Sequence, residues 1–509
     1  MKEHLVTLMI FLPLAGVILQ LIIPRGLDPK NNFKRWMFLF SSFASGACLS
    51  WLIFSLFYLT TGDVQAPKFI ETYKWIEAYS ISYSVAIDGL SASIAMLISI
   101  IFPVLIGKEW DRSTGNYGVN SLFLLLQTSL YGAVFSQDLF LLFFFWAFSS
   151  VPLYFLISIW GGREKESAAF RFMVSSAISN ALLFIALILI YYSADPHGFL
   201  MGELSGGKLI GKTVSISGMT IYVANFAFLL ISVGFAIRAA MWPFNGWLNS
   251  VSEQAPASIF VAVCSVSIPV SMYLFIRFAY TLFPEITARL SHIIVIIGVM
   301  NFIIAGVCAA TQKDLRRLLA YICTSGIGVV LVGIGVMTSP SVTGAIYDLL
   351  VQGLGIAGVG LFSGFIFERT GQIYFQKNNG EAAIGGVAYN APIAATVVAV
   401  FVISILGLPG SGGFIGKSLL VIGTYSSHPV VAILMVFSAI IAAYYILNVY
   451  RVIFFGKEGV NTKNVKDLKN TEKLYLIALA GIILFLGVYP APLLELIRIS
   501  GLQLLPTLR

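Results

Sequence analysis

The run FFFWAFSSVPLYFLISIWGG, residues 143–162, decides what kind of molecule this is. It carries no charge until Arg163. A helix of about 20 apolar residues spans the hydrocarbon core of a bilayer. A barrel strand would alternate apolar and polar residues instead. The run is therefore a membrane-crossing helix. Its aromatic texture and the Asp138 just ahead of it suggest a helix that carries a buried carboxylate, yet alanine stands at position 147, after FFFW.

Working outward, the rest of the chain has the same character. Of its 509 residues 58% are hydrophobic and 11% are charged, against about 25% charged in a soluble domain. A backbone in lipid must be helical or a closed barrel, and continuous apolar runs select helices. The fold class is an all-α polytopic membrane protein. Spans are expected near 4–23, 34–60, 84–107, 118–136, 138–160, 168–192, 219–240, 254–283, 290–310, 316–338, 343–367, 391–426, 428–455 and 474–497, about fourteen in all. The N-terminal apolar run lacks a clear small-residue cleavage site and is expected to stay as the first span.

The net charge of +8 does not point to nucleic acid, because Lys and Arg of membrane proteins gather in cytoplasmic loops. They follow the first span (Arg25, Lys30, Lys34, Arg35), the fifth (Arg163, Lys165, Arg171), the ninth (Lys313, Arg316, Arg317) and the thirteenth (Lys457, Lys463, Lys466, Lys469, Lys473). Odd loops are thus expected in the cytoplasm and both termini outside, in a bacterial inner membrane. The four cysteines, at 48, 264, 308 and 323, sit in apolar runs without metal-ligand or disulfide spacing and read as small core residues.

Two spans are interrupted. The seventh contains AIRAAMWPFNGWL with Pro243 and Gly246; the twelfth contains ILGLPGSGGFIGK with Pro409 among five glycines. Proline removes a backbone donor and glycine weakens a helix. Irregular backbone at membrane depth survives only inside protein or along a wet cavity. The breaks fall at matching places of two five-helix stretches, the trace of an inverted repeat in a transporter. This divides the chain into residues 1–117 (helices 1–3), 118–283 (repeat A), 284–455 (repeat B) and 456–509 (a cytoplasmic loop and the last helix).

An ionisable residue within a membrane span is a functional candidate by default. Arg238 precedes the first break and Lys417 follows the second. A guanidinium does not release its proton, so Arg238 can hold a site or repel cations but cannot relay. Lys417 lies near a half-helix N-terminus, where the dipole and burial both disfavour a cation; it either titrates in a wet path or snorkels. Asp348 and Gln352 share a helix face at a spacing of four and either line water or bond across helices. Glu253 precedes the eighth span and, with the unwound carbonyls, is a candidate partner for Arg238. Asp88 and Asp138 suit helix starts, where a carboxylate accepts backbone hydrogen bonds. The charges of KDLRR (313–317) read as a solvated anchor. The sequence offers no nucleotide loop, metal cluster or nucleophile motif.

The segments VAIDGLS (85–91), FSQDLFLLFFFWAFSSVPLYFLISIWG (135–161), GFAIRAAMWPFNGWLNSVSEQAP (234–256), QKDLRRLLAYICTSGIG (312–328), VQGLGIAG (351–358) and GLPGSGGFIGK (407–417) resemble, in order, the antiporter-like membrane subunits of respiratory complex I and of Mrp-type cation/proton antiporters. They look most like subunit M of bacterial NADH–quinone oxidoreductase, the relative of mitochondrial chain 4. The resemblance implies fourteen helices, two inverted five-helix repeats and broken helices 7 and 12. It also implies a row of titrating groups, beginning with a helix 5 glutamate paired to a helix 7 lysine. No cofactor would sit in this chain, and its partners would be other membrane subunits.

Against that family pattern the row is depleted. The glutamate position is Ala147, the helix 7 lysine is Arg238, the helix 8 lysine falls near Pro269, and two family histidines align with Gly326 and Gln352. A helix 4 glutamate aligns with Gln127, and a further histidine and aspartate with Ser252 and Ser250. Only Lys417 keeps a titratable group. The expectation is a subunit-M-like module of an ion-translocating oxidoreductase with a degenerate proton path and a structural or coupling role. The alternatives are a working path through Lys417 and Asp348, or the membrane component of a non-redox antiporter or inorganic-carbon uptake complex.

Overall fold

The computed structural model describes residues 4–22, 36–47, 68–109, 118–195, 197–205, 212–216, 219–375, 384–457, 462 and 465–504. The cations at 25–35, Lys463, Cys48 and the second half of the second expected span lie outside these residues. Among the described residues ten helices are long and apolar enough to cross a membrane. In chain order the main helices are α1 (Leu5–Ile22), α2 (36–47), α3 (Gly89–Lys108), α4 (Gly118–Phe135), α5 (Leu139–Trp160), α6 (Lys165–Ser193), α7 (Val223–Arg238), α8 (Gly246–Gln254), α9 (Ala257–Leu282), α10 (Ser291–Ala310), α11 (Leu315–Val336), α12 (Ser339–Thr370), α13 (Pro392–Leu406), α14 (Gly412–Tyr425), α15 (Pro429–Phe455), α16 (Asn470–Val488) and α17 (Ala491–Leu504).

Two pillars occupy the centre. The apolar windows of α9 and α12 are wholly buried, whereas those of α6, α10 and α15 are mostly not. The outer helices turn Phe170, Ile178, Ile296, Val430, Phe437 and Tyr444 outward, a surface suited to lipid rather than water. α12 starts at a capping box of Thr338 and Ser341 and ends at Gly371, whose φ of +67° is left-handed. Small residues let helices meet closely in a membrane protein. A Cβ added at Gly344 would lie 2.9 Å from the Gly416 carbonyl of α14, so α12 and α14 touch almost backbone to backbone.

The all-α expectation needs one correction. Two antiparallel hairpins lie between spans: β1 (Lys68–Ile76) with β2 (Ile81–Ile87), and β3 (Thr213–Ile216) with β4 (Met219–Tyr222). Residues 68–87 are rich in β-branched and aromatic side chains, which favour strands, and Ser80 takes a left-handed φ of 52° at the turn. The third span therefore begins at Gly89 rather than at 84. The first hairpin also ends a helix: the buried Glu71 carboxylate accepts the Val6 amide at 2.8 Å and the Thr7 hydroxyl. An anion is favoured at that helix N-terminus.

Both expected breaks are present. α7 and α8 are separated by residues 239–245, with Ala240 at φ 51°. α13 and α14 are separated by residues 407–411, with Gly407 and Gly410 at positive φ. The last expected span, 474–497, is instead two helices, α16 and α17, because Pro490 restricts Tyr489 and cannot continue the ladder. α17 packs on the start of α3, where the Gly89 amide donates to Ser500 Oγ at 2.8 Å.

Candidate functional site

The positions expected to form an ion path run from α5 through α7, α9, α11 and α12 to α14. At the α5 end stands Arg238, the last residue of α7 and 2% exposed. Its Nη1 donates to Ser176 Oγ at 2.7 Å and Ser150 Oγ at 3.2 Å, and its Nη2 donates to Ser149 Oγ at 3.1 Å. The guanidinium lies 4.6 Å from the Trp146 ring centroid and 5.3 Å from that of Phe172. Its Nε is buried without a partner. Among the described residues no carboxylate meets it. The α7 carboxyl end favours a cation there, and aromatic faces attract it.

Glu253, one expected partner of Arg238, is elsewhere: it pairs with Arg317. The reason is local. Glu253 is near the far end of α8, which carries it away from the break to the start of α11. Asp138 also stays out of the row. It caps α5 by accepting Phe140 N at 2.9 Å and Leu141 N at 3.1 Å, and holds β2 by accepting Ser82 N at 3.1 Å. The KDLRR segment is not a solvated anchor throughout. Asp314 is buried and caps α11, and Arg316 turns inward to Ala255 O at 2.8 Å and Ser363 Oγ at 3.2 Å. Burial raises the Asp314 carboxyl above the usual carboxylate range, against the Arg317 and Arg316 amides that lower it.

On α9, Pro269 follows a π-helical stretch, Ala262–Ser267. A proline inside a helix has no N–H and displaces the carbonyl four residues back, and π-bulges kink helices. The Cys264 carbonyl there accepts the Cys323 thiol at 3.2 Å. The Ser265 carbonyl lies 2.7 Å from where a Cβ on Gly353 would be. Only a residue without a side chain fits beside that bulge.

Gly326 and Gln352 turn out to be neighbours. A Cβ built on Gly326 would fall 1.8 Å from Gln352 Nε2. The glutamine side chain fills the room that a side chain at 326 would need, and bonds the Ile322 carbonyl at 3.2 Å. Positions 326 and 352 are thus one complementary pair.

At the α14 end, Lys417 is half-buried and donates through Nζ to the Ile405 carbonyl. That carbonyl lies one residue before the end of α13. The ammonium therefore crosses the break to a helix C-terminus, where a cation is favoured, rather than resting on the unfavourable end of its own half-helix. Asp348 is 1% exposed and neither of its carboxylate oxygens has a hydrogen bond. Asp348 packs against Gly416, the residue before Lys417: a Cβ on Gly416 would lie 3.1 Å from the Asp348 Cα. The structure thus brings Lys417 beside Asp348 and Gln352 beside Gly326, and leaves Arg238 apart.

Sequence reasoning missed a second buried arginine. Arg277 of α9 is 7% exposed, forms an ion pair with Asp88 and donates to Gln137 Oε1 at 3.1 Å. An arginine inside the apolar run SMYLFIRFAYTLF was the available signal. It also missed Lys108, which pairs with Glu368 at 3.1 Å and lies 3.7 Å from the Phe365 ring centroid. Lys108, Glu253, Arg316 and Glu368 line a cavity of about 240 Å³ at the end of the bundle where α9 begins.

The profile of the NADH:quinone oxidoreductase/Mrp antiporter transmembrane family matches residues 136–442. The chain belongs to this family. It is 28% identical to NADH-quinone oxidoreductase subunit M of Rhodobacter capsulatus over 97% of this chain and 95% of that one. It is 28% identical to NAD(P)H-quinone oxidoreductase chain 4 of Nostoc sp. over 95% of this chain and 88% of that one. In fold it is similar to a chain of respiratory complex I from Thermus thermophilus, with a TM-score of 0.82 at 24% identity, covering 98% of this chain and 99% of that one. A chain of the Mrp complex from Dietzia sp. also has a TM-score of 0.82, at 19% identity, covering 99% and 98%. The chain is an integral membrane protein.

Proposed function

We propose that this chain is a membrane subunit of a multi-subunit, NADH–quinone-oxidoreductase-like ion-translocating complex, in which it serves a structural or coupling role. The observation that carries this is Arg238, a permanent cation held by three serine hydroxyls with no carboxylate beside it among the described residues. A relay needs groups that gain and lose protons near working pH, and the row offers alanine, arginine, proline and glycine where such groups would stand. A fixed buried cation also repels a passing proton. On this reading the chain holds no cofactor, and redox chemistry belongs to partner subunits. It has about fourteen spans in two inverted repeats, with both termini outside the bacterial inner membrane.

One observation favours a second reading. In the second half the buried Asp348 packs against Gly416, the residue before Lys417, and its carboxylate oxygens have no hydrogen bond, so ions could move there through water. The test is the Lys417→Ala exchange in the whole complex, reconstituted in liposomes. An unchanged number of ions moved per electron supports the coupling role; loss of about one module's share would establish the second reading. Purification through a tag on this chain tests the assembly itself. Flavin- and iron–sulfur-bearing subunits in the eluate support it, and a single non-redox partner sinks it.

A further inference from the structure

Two histidines far apart in sequence converge at the end of the bundle where α10 and α15 begin. His292 is the second residue of α10, and His428 caps α15 in the short turn after α14. His292 Nδ1 lies 3.1 Å from His428 Nε2, with ring centroids 5.2 Å apart at an interplanar angle of 67°. The His292 ring is exposed and His428 is half-buried.

That separation suits a shared metal ion. Two imidazole nitrogens at about 2.0–2.1 Å from a tetrahedral ion stand about 3.3 Å apart. The rings are T-shaped rather than stacked, with one nitrogen of each adjacent to the other's. Imidazole suits late first-row divalent ions, with Cu²⁺ bound most tightly. We propose that His292 and His428 form a two-imidazole site for such an ion, Zn²⁺ or Cu²⁺ in class, with water in the remaining positions. The ion would tie α10 to the turn that ends α14, the half-helix that carries Lys417. The site rests on the two rings alone and stands whether or not the chain conducts.

The experiment uses the full chain in detergent micelles, with Cu²⁺ read by electron paramagnetic resonance and Zn²⁺ by competition with a chromophoric chelator. The expected result is one ion per chain with two nitrogen ligands. His292→Ala or His428→Ala should each weaken binding by roughly a hundredfold, the advantage of a second tethered ligand. His4→Ala and His197→Ala should leave it unchanged. If an alanine variant loses its fold, His292→Gln and His428→Gln keep the ring-sized polar group and answer the same question. Equal affinity in the double variant overturns the site. A single nitrogen ligand in the wild type does so as well, since the two rings would then share only a hydrogen bond.

Discussion

Arg238 and Arg277 are both buried near the middle of the chain, and their surroundings are opposite. Arg277 has the Asp88 carboxylate and the Gln137 amide oxygen. Arg238 has three hydroxyls, two aromatic faces and an unpartnered Nε. The first is a closed pair that locks α9 to the start of α3. The second is a cation whose site is only half built. A buried charge with its partner is fixed architecture, while one held by hydroxyls alone leaves room for a second charge beside it.

The largest effect should come from opening the closed pair. Asp88 also caps α3, accepting the Ser91 amide at 2.8 Å while its own amide donates to Ser91 Oγ, so Asp88→Ala strands a buried guanidinium and removes this capping box together, and breaking a buried pair costs about 3–5 kcal/mol. Thermal unfolding of the purified chain in detergent should show a large drop in midpoint. A change within error would mean that Arg277 is solvated and that the contrast with Arg238 is false.

Conversely, Ala147→Glu should give Arg238 what Arg277 already has. Position 147 lies one turn before Ser150 on α5, within reach of a long carboxylate side chain. A charge-assisted hydrogen bond is worth about 1.5–3 kcal/mol, so this variant should melt higher than the parent. The Arg238→Met background should remove the gain. A lower midpoint in Ala147→Glu alone would show that the serine cage already satisfies the cation.

The contact between Gly326 and Gln352 makes a third, smaller prediction. Gly326→Ala drives a methyl group into Gln352, and overpacking of this kind costs about 1–3 kcal/mol. Gln352→Ala in the same chain should recover most of that loss. Two contacting sites are expected to couple in such a cycle, and simple additivity would separate the two residues.

Much of this was legible from residues alone. The run after Gln137, the two breaks at Pro243 and Pro409, and the caps at Asp88 and Asp138 follow from span length, backbone chemistry and helix-end electrostatics. Partners were not legible. Glu253 sits only fifteen residues after Arg238, yet the broken seventh span sends it to Arg317. The approach of Gly326 to Gln352 depends on how α11 packs on α12, which no spacing within either helix encodes. Lys417 stands on the unfavourable end of its own helix, and only the fold shows its ammonium reaching across to Ile405. The hairpins were missed because strands outside a bilayer give a far weaker signal than spans within it.

The smallest expected effect is at Asp348, and it tests whether the second half resembles the closed pair or the open one. Its carboxylate oxygens accept no hydrogen bond, so Asp348→Asn removes none. Lys417 is not stranded by the exchange, because its ammonium keeps the Ile405 carbonyl and the end of α13. The exchange also removes the desolvation cost of a buried charge, so the stability change should be close to zero or favourable, measured by the same unfolding assay as Asp88→Ala. A loss of several kcal/mol would mean that Asp348 and Lys417 form a buried pair as tight as Asp88 and Arg277. The second half would then be as fixed as the α3–α9 contact, and an ion path through it would have to break that pair in every cycle.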